Sequence, residues 1–190
     1  MHLAMQQHEI VLFKNFLSCA QSYFEFGTGG STCLAASLVK GPICSVDSSK
    51  EWLDKVRDEM PASEFERRLV YADIGPTGVW GYPSDQSDRE RFLNYHELVW
   101  ADSRLRYELY LVDGRFRVAC FAQIIKRMNS DSIVAMHDYR SRKQYHIVEK
   151  IARPVAEALD ITFFTKRNDV IGVLSHTIQS IIDTYKYNPE

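Results

Sequence analysis

The chain has 190 residues, enough for one α/β domain and too few for a separate large substrate domain beside it. Lys plus Arg number 23 against 25 Asp plus Glu, so no global basic field exists to hold a nucleic-acid backbone or an anionic bilayer. Hydrophobic residues at 45% and aromatics at 12% match a chain that buries a full core, which excludes a disordered segment and a disulfide-dense miniature.

The first twenty-one residues, MHLAMQQHEIVLFKNFLSCAQ, show no basic leader, and their apolar part is broken by Lys14 and Asn15. No other segment approaches a run of about 18 apolar residues, so neither export nor membrane spanning is expected. The four cysteines, Cys19, Cys33, Cys44 and Cys120, form no CxxC pair and read as reduced core thiols of a cytoplasmic protein. Beyond this point short apolar runs alternate with longer amphipathic segments, the signal of βαβ units. Residues 21–26 (QSYFEF) predict a first strand, closed by GTGGST and followed by a helix that stops at Gly41-Pro42. Residues 43–46 predict a second strand ending at Asp47, and Ser48 or Ser49 caps the helix after it. Residues 68–72 give a third strand ending at Asp73.

Residues 74–87 (IGPTGVWGYPSDQS) are too long and too punctuated by Gly and Pro for a simple connection, and long loops of this kind are usually functional. A helix over about 88–101 leads to the clearest strand, 107–112 (YELYLV), which ends at Asp113-Gly114. A helix over 118–128 and a fifth strand over 132–136 follow, the latter ending at His137-Asp138-Tyr139. A helix over about 144–153, a break at Pro154, and two strands at 161–165 and 170–174 complete the pattern, the last two joined by a hairpin at 166–169. The expected architecture is one three-layer, doubly wound sheet of seven strands, mostly parallel with an antiparallel last strand. The C-terminal TIQSIIDTYKYNPE reads as a short helix on the sheet or as a contact with a second copy of the chain, a homodimer being the candidate assembly.

In open α/β sheets ligands sit outside the carboxyl ends of the strands. Glu25, Asp47, Asp73, Asp113 and the His137-Asp138 pair all fall there, an acid on each of five successive strands. Glu25-x-Gly27-x-Gly29 permits close approach of a ligand to the backbone at a helix N-terminus. Thr32 stands where a dinucleotide fingerprint has its third glycine, and no Gly-Lys-Ser or Gly-Lys-Thr occurs. A carboxylate-bearing ligand smaller than a dinucleotide is therefore favoured. Asp47 is placed to accept both hydroxyls of a ribose, or to cap the next helix. Asp73 suits either an adenine amino group or its own loop backbone.

The segments YFEFGTGGST, VDSS, YADIGPTG and LYLVDG, in this order and spacing, resemble the nucleoside and glycine motifs of class I S-adenosylmethionine-dependent methyltransferases. EFGTGGST, GPTGVWGYP, VDGRFRVAC and MHDY look more narrowly like an uncharacterised methyltransferase-like subgroup. The resemblance covers residues 21–174 and implies a Rossmann-like fold and S-adenosylmethionine as cofactor. It further implies that Gly27, Thr28, Gly29 and Ser31 contact the methionine part, with Glu25 near its amino group. Asp47 and Ser48 would hold the ribose, Asp73 and Ile74 would flank the adenine, and Asp113 would lie beside the methyl group.

Methyl transfer needs mainly in-line placement of an acceptor, plus a base where an oxygen or nitrogen must lose a proton. His137, oriented by Asp113 or Asp138, is the expected base. A divalent ion on Asp113, His137 and Asp138 is the competing arrangement, disfavoured because hard cations prefer oxygen shells, so no metal is expected. Arg115 and Arg117 after strand four, with Arg140, Arg142 and Lys143 after strand five, form a basic rim. Arg115 and Arg140 are the candidates to clamp a small, anionic acceptor. Trp80 and Tyr82 on the glycine-rich loop are placed to close over cofactor or acceptor. A catalytically silent relative of the same fold would look alike, whereas a nicotinamide-dependent oxidoreductase is disfavoured by the missing glycine.

Overall fold

The computed structural model describes residues 1–101, 106–168 and 172–190. In chain order the elements are α1 (Gln7–Cys19), β1 (Tyr23–Phe26), α2 (Gly30–Leu38), β2 (Ile43–Asp47), α3 (Lys50–Glu59), β3 (Arg67–Tyr71), α4 (Leu93–Glu97), β4 (Leu109–Val112), α5 (Arg117–Arg127), β5 (Ile133–Met136), β6 (Ala152–Ala158), β7 (Ile161–Lys166) and α6 (Val173–Tyr185). Short 3-10 turns flank α4 and fill Lys143–Lys150. The strands form one sheet in the order β3-β2-β1-β4-β5-β7-β6. The first five are parallel, and β7 runs antiparallel to both β5 and β6. The seven-stranded, mostly parallel architecture read from the sequence is the one found.

Both faces of the sheet are covered, which is why the central strands are buried along their length and largely apolar instead of alternating, with Glu25 and Ser45 as buried exceptions. On one face Phe24, Phe26, Tyr110 and Val112 pack against Phe121 and Ile125 of α5 and Ile178 and Ile182 of α6. On the other, Tyr23, Ile43, Leu109 and Phe163 meet Phe13 and Leu17 of α1 and Ala35 of α2. Each such fully buried side chain contributes roughly 1.5–3 kcal/mol of transfer free energy. Of the cysteines, Cys44 and Cys120 are buried, Cys33 is partly so, and Cys19 is exposed on α1, so the expectation of four core thiols fails for Cys19. Among the described residues no helix is long and apolar enough to cross a membrane.

The C-terminal third differs from the expectation. In place of the helix predicted over 144–153 there is a 3-10 stretch over Lys143–Lys150, in which Tyr145 and Val148, with Ile151 at its C-cap, recur at the three-residue spacing that this helix eclipses, all buried, and residues 152 and 153 already belong to β6. Pro154 does not break a helix. It lies inside β6 at a register shift, a position open to proline because β6 is an edge strand. The antiparallel hairpin is therefore β6–β7, turning at Leu159 (φ 49°) and Asp160, and the hairpin predicted at 166–169 is not the one formed. Of the expected last strand, Val173 and Leu174 open α6, while residues 169–171 lie outside the described residues.

Candidate functional site

The sheet order reverses between β1 and β4, and there the two strand ends touch backbone to backbone. Gly27 leaves β1 at φ +99°, and a Cβ on it would stand 2.5 Å from the Gly114 nitrogen. A Cβ on Gly114 would collide with the Tyr95 hydroxyl and lie 2.9 Å from Gly27 Cα. From this floor the chain runs into α2, where Thr32 Oγ1 accepts from the Gly29 N–H at 2.8 Å. Asp47 at the end of β2 ties the neighbouring turns together. Its Oδ2 accepts from Thr28 N–H at 3.1 Å and its Oδ1 from Ser49 N–H at 3.0 Å. Burial raises its pKa from the usual 3.8, and the backbone donors only partly offset this. Ser49, of the two candidates, caps α3 by accepting from Trp52 N–H. The Trp52 indole N–H reaches back to the Thr28 carbonyl at 2.6 Å.

A cleft of about 790 Å³ opens above this floor. Of the residues singled out in the sequence, Gly27, Thr28, Gly29, Ser31, Asp47, Ser48, Trp80, Tyr82, Asp113, Arg115, His137 and Asp138 line it. Arg115 is buried against Tyr82, its guanidinium carbon 4.2 Å from the ring centroid. Trp80 stands 82% exposed at the tip of its loop, at φ 59°.

Four expected residues lie elsewhere. Glu25 is buried beneath the turn, accepting from the hydroxyls of Tyr23, Ser31, Thr32 and Ser45, and is not among the residues that line the cleft. Burial pushes its pKa up to about 7, against the pull of those four donors. Asp73 accepts from Gly75 N–H and pairs with Arg91, and Ile74 is sealed in the core, so neither flanks the cleft. Arg140 pairs with Glu157 on the exposed side of the hairpin, and Arg142 takes its place as a lining residue.

The ends of β4 and β5 carry a dense ion cluster. His137 Nδ1 faces Asp113 Oδ1 at 3.3 Å and Asp138 Oδ1 at 3.5 Å, and its Nε2 faces Glu9 Oε2 at 3.5 Å. Burial works to lower the imidazole pKa, but the three carboxylates outweigh it and raise the group to about 9. Asp113 is held below the usual 3.8, because His137 and Arg117 overcome the cost of its burial. The Arg117 guanidinium spans both acids, 3.2 Å from Asp113 and 3.1 Å from Asp138, and donates to the carbonyls of Gly114 and His137. Arg142 adds a second contact to Asp138 at 3.1 Å. Asp113, His137 and Asp138 offer ligand atoms within 4.8 Å of one another, yet Arg117 already supplies the positive charge between the two carboxylates.

Glu9, like Trp52 in the cleft lining, is a site residue that the sequence reading misses. It sits in the first turn of α1, 1% exposed, accepting from the N–H groups of Gln6 and Asp160. An acid three residues after a helix N-cap is a recognisable signal, but only once α1 has been assigned.

No protein-family model matches the sequence, and no curated protein does. Among solved structures, a methyltransferase-like protein from Silicibacter pomeroyi superposes with a TM-score of 0.83 at 27% identity, covering 99% of this chain and 98% of that one. A TehB-like SAM-dependent methyltransferase from Corynebacterium glutamicum gives 0.53 at 11% identity, over 86% and 90% of the two chains. The ribosomal protein L11 methylase from Lactobacillus delbrueckii gives 0.54 at 12% identity, over 85% and 81%. At those identities the last two share the fold.

Proposed function

We propose that this chain, which has the class I methyltransferase fold, binds S-adenosylmethionine and transfers its methyl group to an oxygen or nitrogen of a small anionic acceptor. The observation that carries this reading is the cleft at the switch point. Its lining joins the glycine turn and Asp47 to Arg115, Arg142 and the Asp113 end of β4. A volume near 790 Å³ falls within the roughly 300–1,000 Å³ typical of small-molecule sites.

Each part of this lining has a distinct task. Asp47 accepts from the backbone N–H groups of Thr28 and Ser49 and, with up to four lone-pair sites on its two oxygens, keeps capacity for a ribose hydroxyl. Such charge-assisted bonds contribute roughly 1.5–3 kcal/mol apiece. We place the sulfonium beside Asp113, whose charge is shared with His137 and Arg117, and fixed charges in a partly dry cleft act without reorganising during transfer. Trp52, beside Gly29 and Asp47, offers the aromatic wall for the adenine that Asp73 and Ile74 do not provide. Trp80 and Tyr82 close the acceptor side, Tyr82 through its stack on Arg115.

Calorimetric titration with S-adenosylmethionine, S-adenosylhomocysteine, NAD and NADP tests the reading. The first two bind, and Asp47→Ala weakens them at least about tenfold, the loss of one such bond. Preferential binding of NAD overturns the proposal, and binding without turnover on any acceptor marks a silent relative.

A further inference from the structure

Transfer to an alcohol, phenol or ammonium group requires a proton acceptor near the methyl, so the state of His137 decides which acceptors the cleft can serve. A neutral imidazole keeps one lone pair, whereas a ring with carboxylates off both nitrogens donates at both. His137 is in the second situation, with Asp113 and Asp138 at Nδ1 and Glu9 of α1 at Nε2, and its side chain is 11% exposed. The carboxylates are no freer. Asp113 meets His137 and Arg117, and Asp138 meets His137, Arg117 and Arg142. Glu9 accepts two backbone N–H groups besides. A carboxylate paired with cations is a weak proton acceptor. Among the described lining residues the remaining acid, Asp47, accepts two backbone N–H bonds and lies in the field of Arg115, and the His2 backbone lies against Gly30 at the glycine turn.

What this end offers an anion is a pair of guanidinium groups. Among the described residues the cations Arg115, Arg117, His137 and Arg142 balance the carboxylates Glu9, Asp47, Asp113 and Asp138, so an anion is drawn by local forks and not by an excess of charge. Arg117 and His137 are committed to the internal cluster, while Arg115 stacks on Tyr82, and Arg142, which gives one contact to Asp138 and one to the Tyr145 hydroxyl, lines the cleft with N–H groups to spare. Two guanidinium forks in one cleft match a carboxylate.

We propose that the acceptor is a carboxylic acid, bound as its carboxylate by Arg115 and Arg142 and methylated on oxygen without a general base. This rests on the methyl-transfer reading above. A carboxylate oxygen lone pair forms the bond to the methyl carbon, and the carbon–sulfur bond breaks with its electron pair going to sulfur. The sulfonium becomes a neutral thioether, the carboxylate becomes a methyl ester, and no proton moves. His137 is then a positioning residue that fixes Asp113 and Asp138, not a catalytic base.

The test uses S-adenosylmethionine labelled in the methyl group, offered with defined panels of carboxylic acids, amines, phenols and phosphomonoesters. Methyl esters release labelled methanol in mild alkali, whereas methylamines and methyl ethers keep their label. Expected is alkali-labile label from the carboxylic acid panel alone. On the best carboxylate kcat stays flat between pH 6 and 8, and Arg142→Gln raises its KM about tenfold with cofactor affinity held. His137→Gln lowers kcat by less than about tenfold, where loss of a general base costs about 10²–10⁴. Alkali-stable label, or kcat rising tenfold per pH unit over that range, overturns the proposal. So does cofactor binding with no label on any carboxylate, whereas failure to bind S-adenosylmethionine overturns the reading beneath it.

Discussion

Replacing Gly27 and Gly29 by alanine, one at a time, tests the backbone contact that floors the cleft. Gly27 sits at φ +99°, where an L side chain costs roughly 1–2 kcal/mol. Its new Cβ would also press on Gly114 backbone atoms at 2.5 and 2.7 Å, and overpacking of that kind costs roughly 1–3 kcal/mol. Reduced entropy of the unfolded chain returns about 0.4–1 kcal/mol, leaving a net loss of about 1–5 kcal/mol. For a chain of this length that is a fall in Tm of about 2–20 °C. Gly29 has extended backbone, φ 175°, and the nearest atom to its new Cβ is Trp52 Nε1 at 4.0 Å. Gly29→Ala therefore stays within about 1 kcal/mol of wild type. Thermal unfolding followed by circular dichroism separates the two. Calorimetry with S-adenosylhomocysteine adds that Gly29→Ala weakens binding at unchanged Tm, since its methyl enters the cleft. Equal losses of Tm in both variants, or none in Gly27→Ala, would refute the strand-end contact.

Gly114→Ala should also destabilise by about 1–3 kcal/mol, and adding Tyr95→Phe, which removes the colliding hydroxyl, should recover part of that loss in a double-mutant cycle on urea unfolding. Two groups with raised pKa values make stability fall as pH rises, because the native state holds a proton that the unfolded chain has released. Glu25, at about 7 against 4.5, contributes stability that is full below pH 4.5 and lost by pH 7, while His137, at about 9 against 6.5, does the same between pH 6.5 and 9. Each window is worth on the order of 3 kcal/mol. Glu25→Gln should flatten the lower window and His137→Gln the upper one in denaturation series from pH 4 to 9.5, and a stability that rises across either window contradicts the assignment.

Strands β1 to β5 are legible in the sequence to within two residues, because strands of a sheet covered on both faces are short, largely apolar runs that stop at turn clusters, and even the half-buried edge strand β3 keeps Leu69, Val70 and Tyr71 together. The same rule fails at β6. An edge strand exposes one side of its ladder, so Arg153, Pro154, Val155 and Glu157 are exposed and the segment reads as a broken helix. α1 escapes notice for a related reason. Its buried stripe is Glu9, Phe13 and Leu17, and an acid inside an apolar stripe looks like a break until a partner such as His137 is known.

Position along a strand also explains why five acidic strand ends yield only part of the expected site. Asp47 is the last paired residue of β2 and Asp113 the first residue beyond β4, so both project over the carboxyl edge of the sheet. Glu25 lies one residue inside β1, paired with Ser45 and Leu111, and alternation turns its side chain into the layer beneath α2, where hydroxyls surround it. Asp73 lies two residues past β3, free to fold back on its own turn. The ion cluster is harder still to foresee. Glu9, Asp113, Arg117, His137 and Arg142 come from α1, the β4 end, α5 and the segment after β5, and meet only when the sheet has closed and α1 has packed across it. Because every carboxylate there faces a cation, the cluster leaves almost no trace in a net charge of −2, while it decides whether the imidazole at its centre can accept a proton.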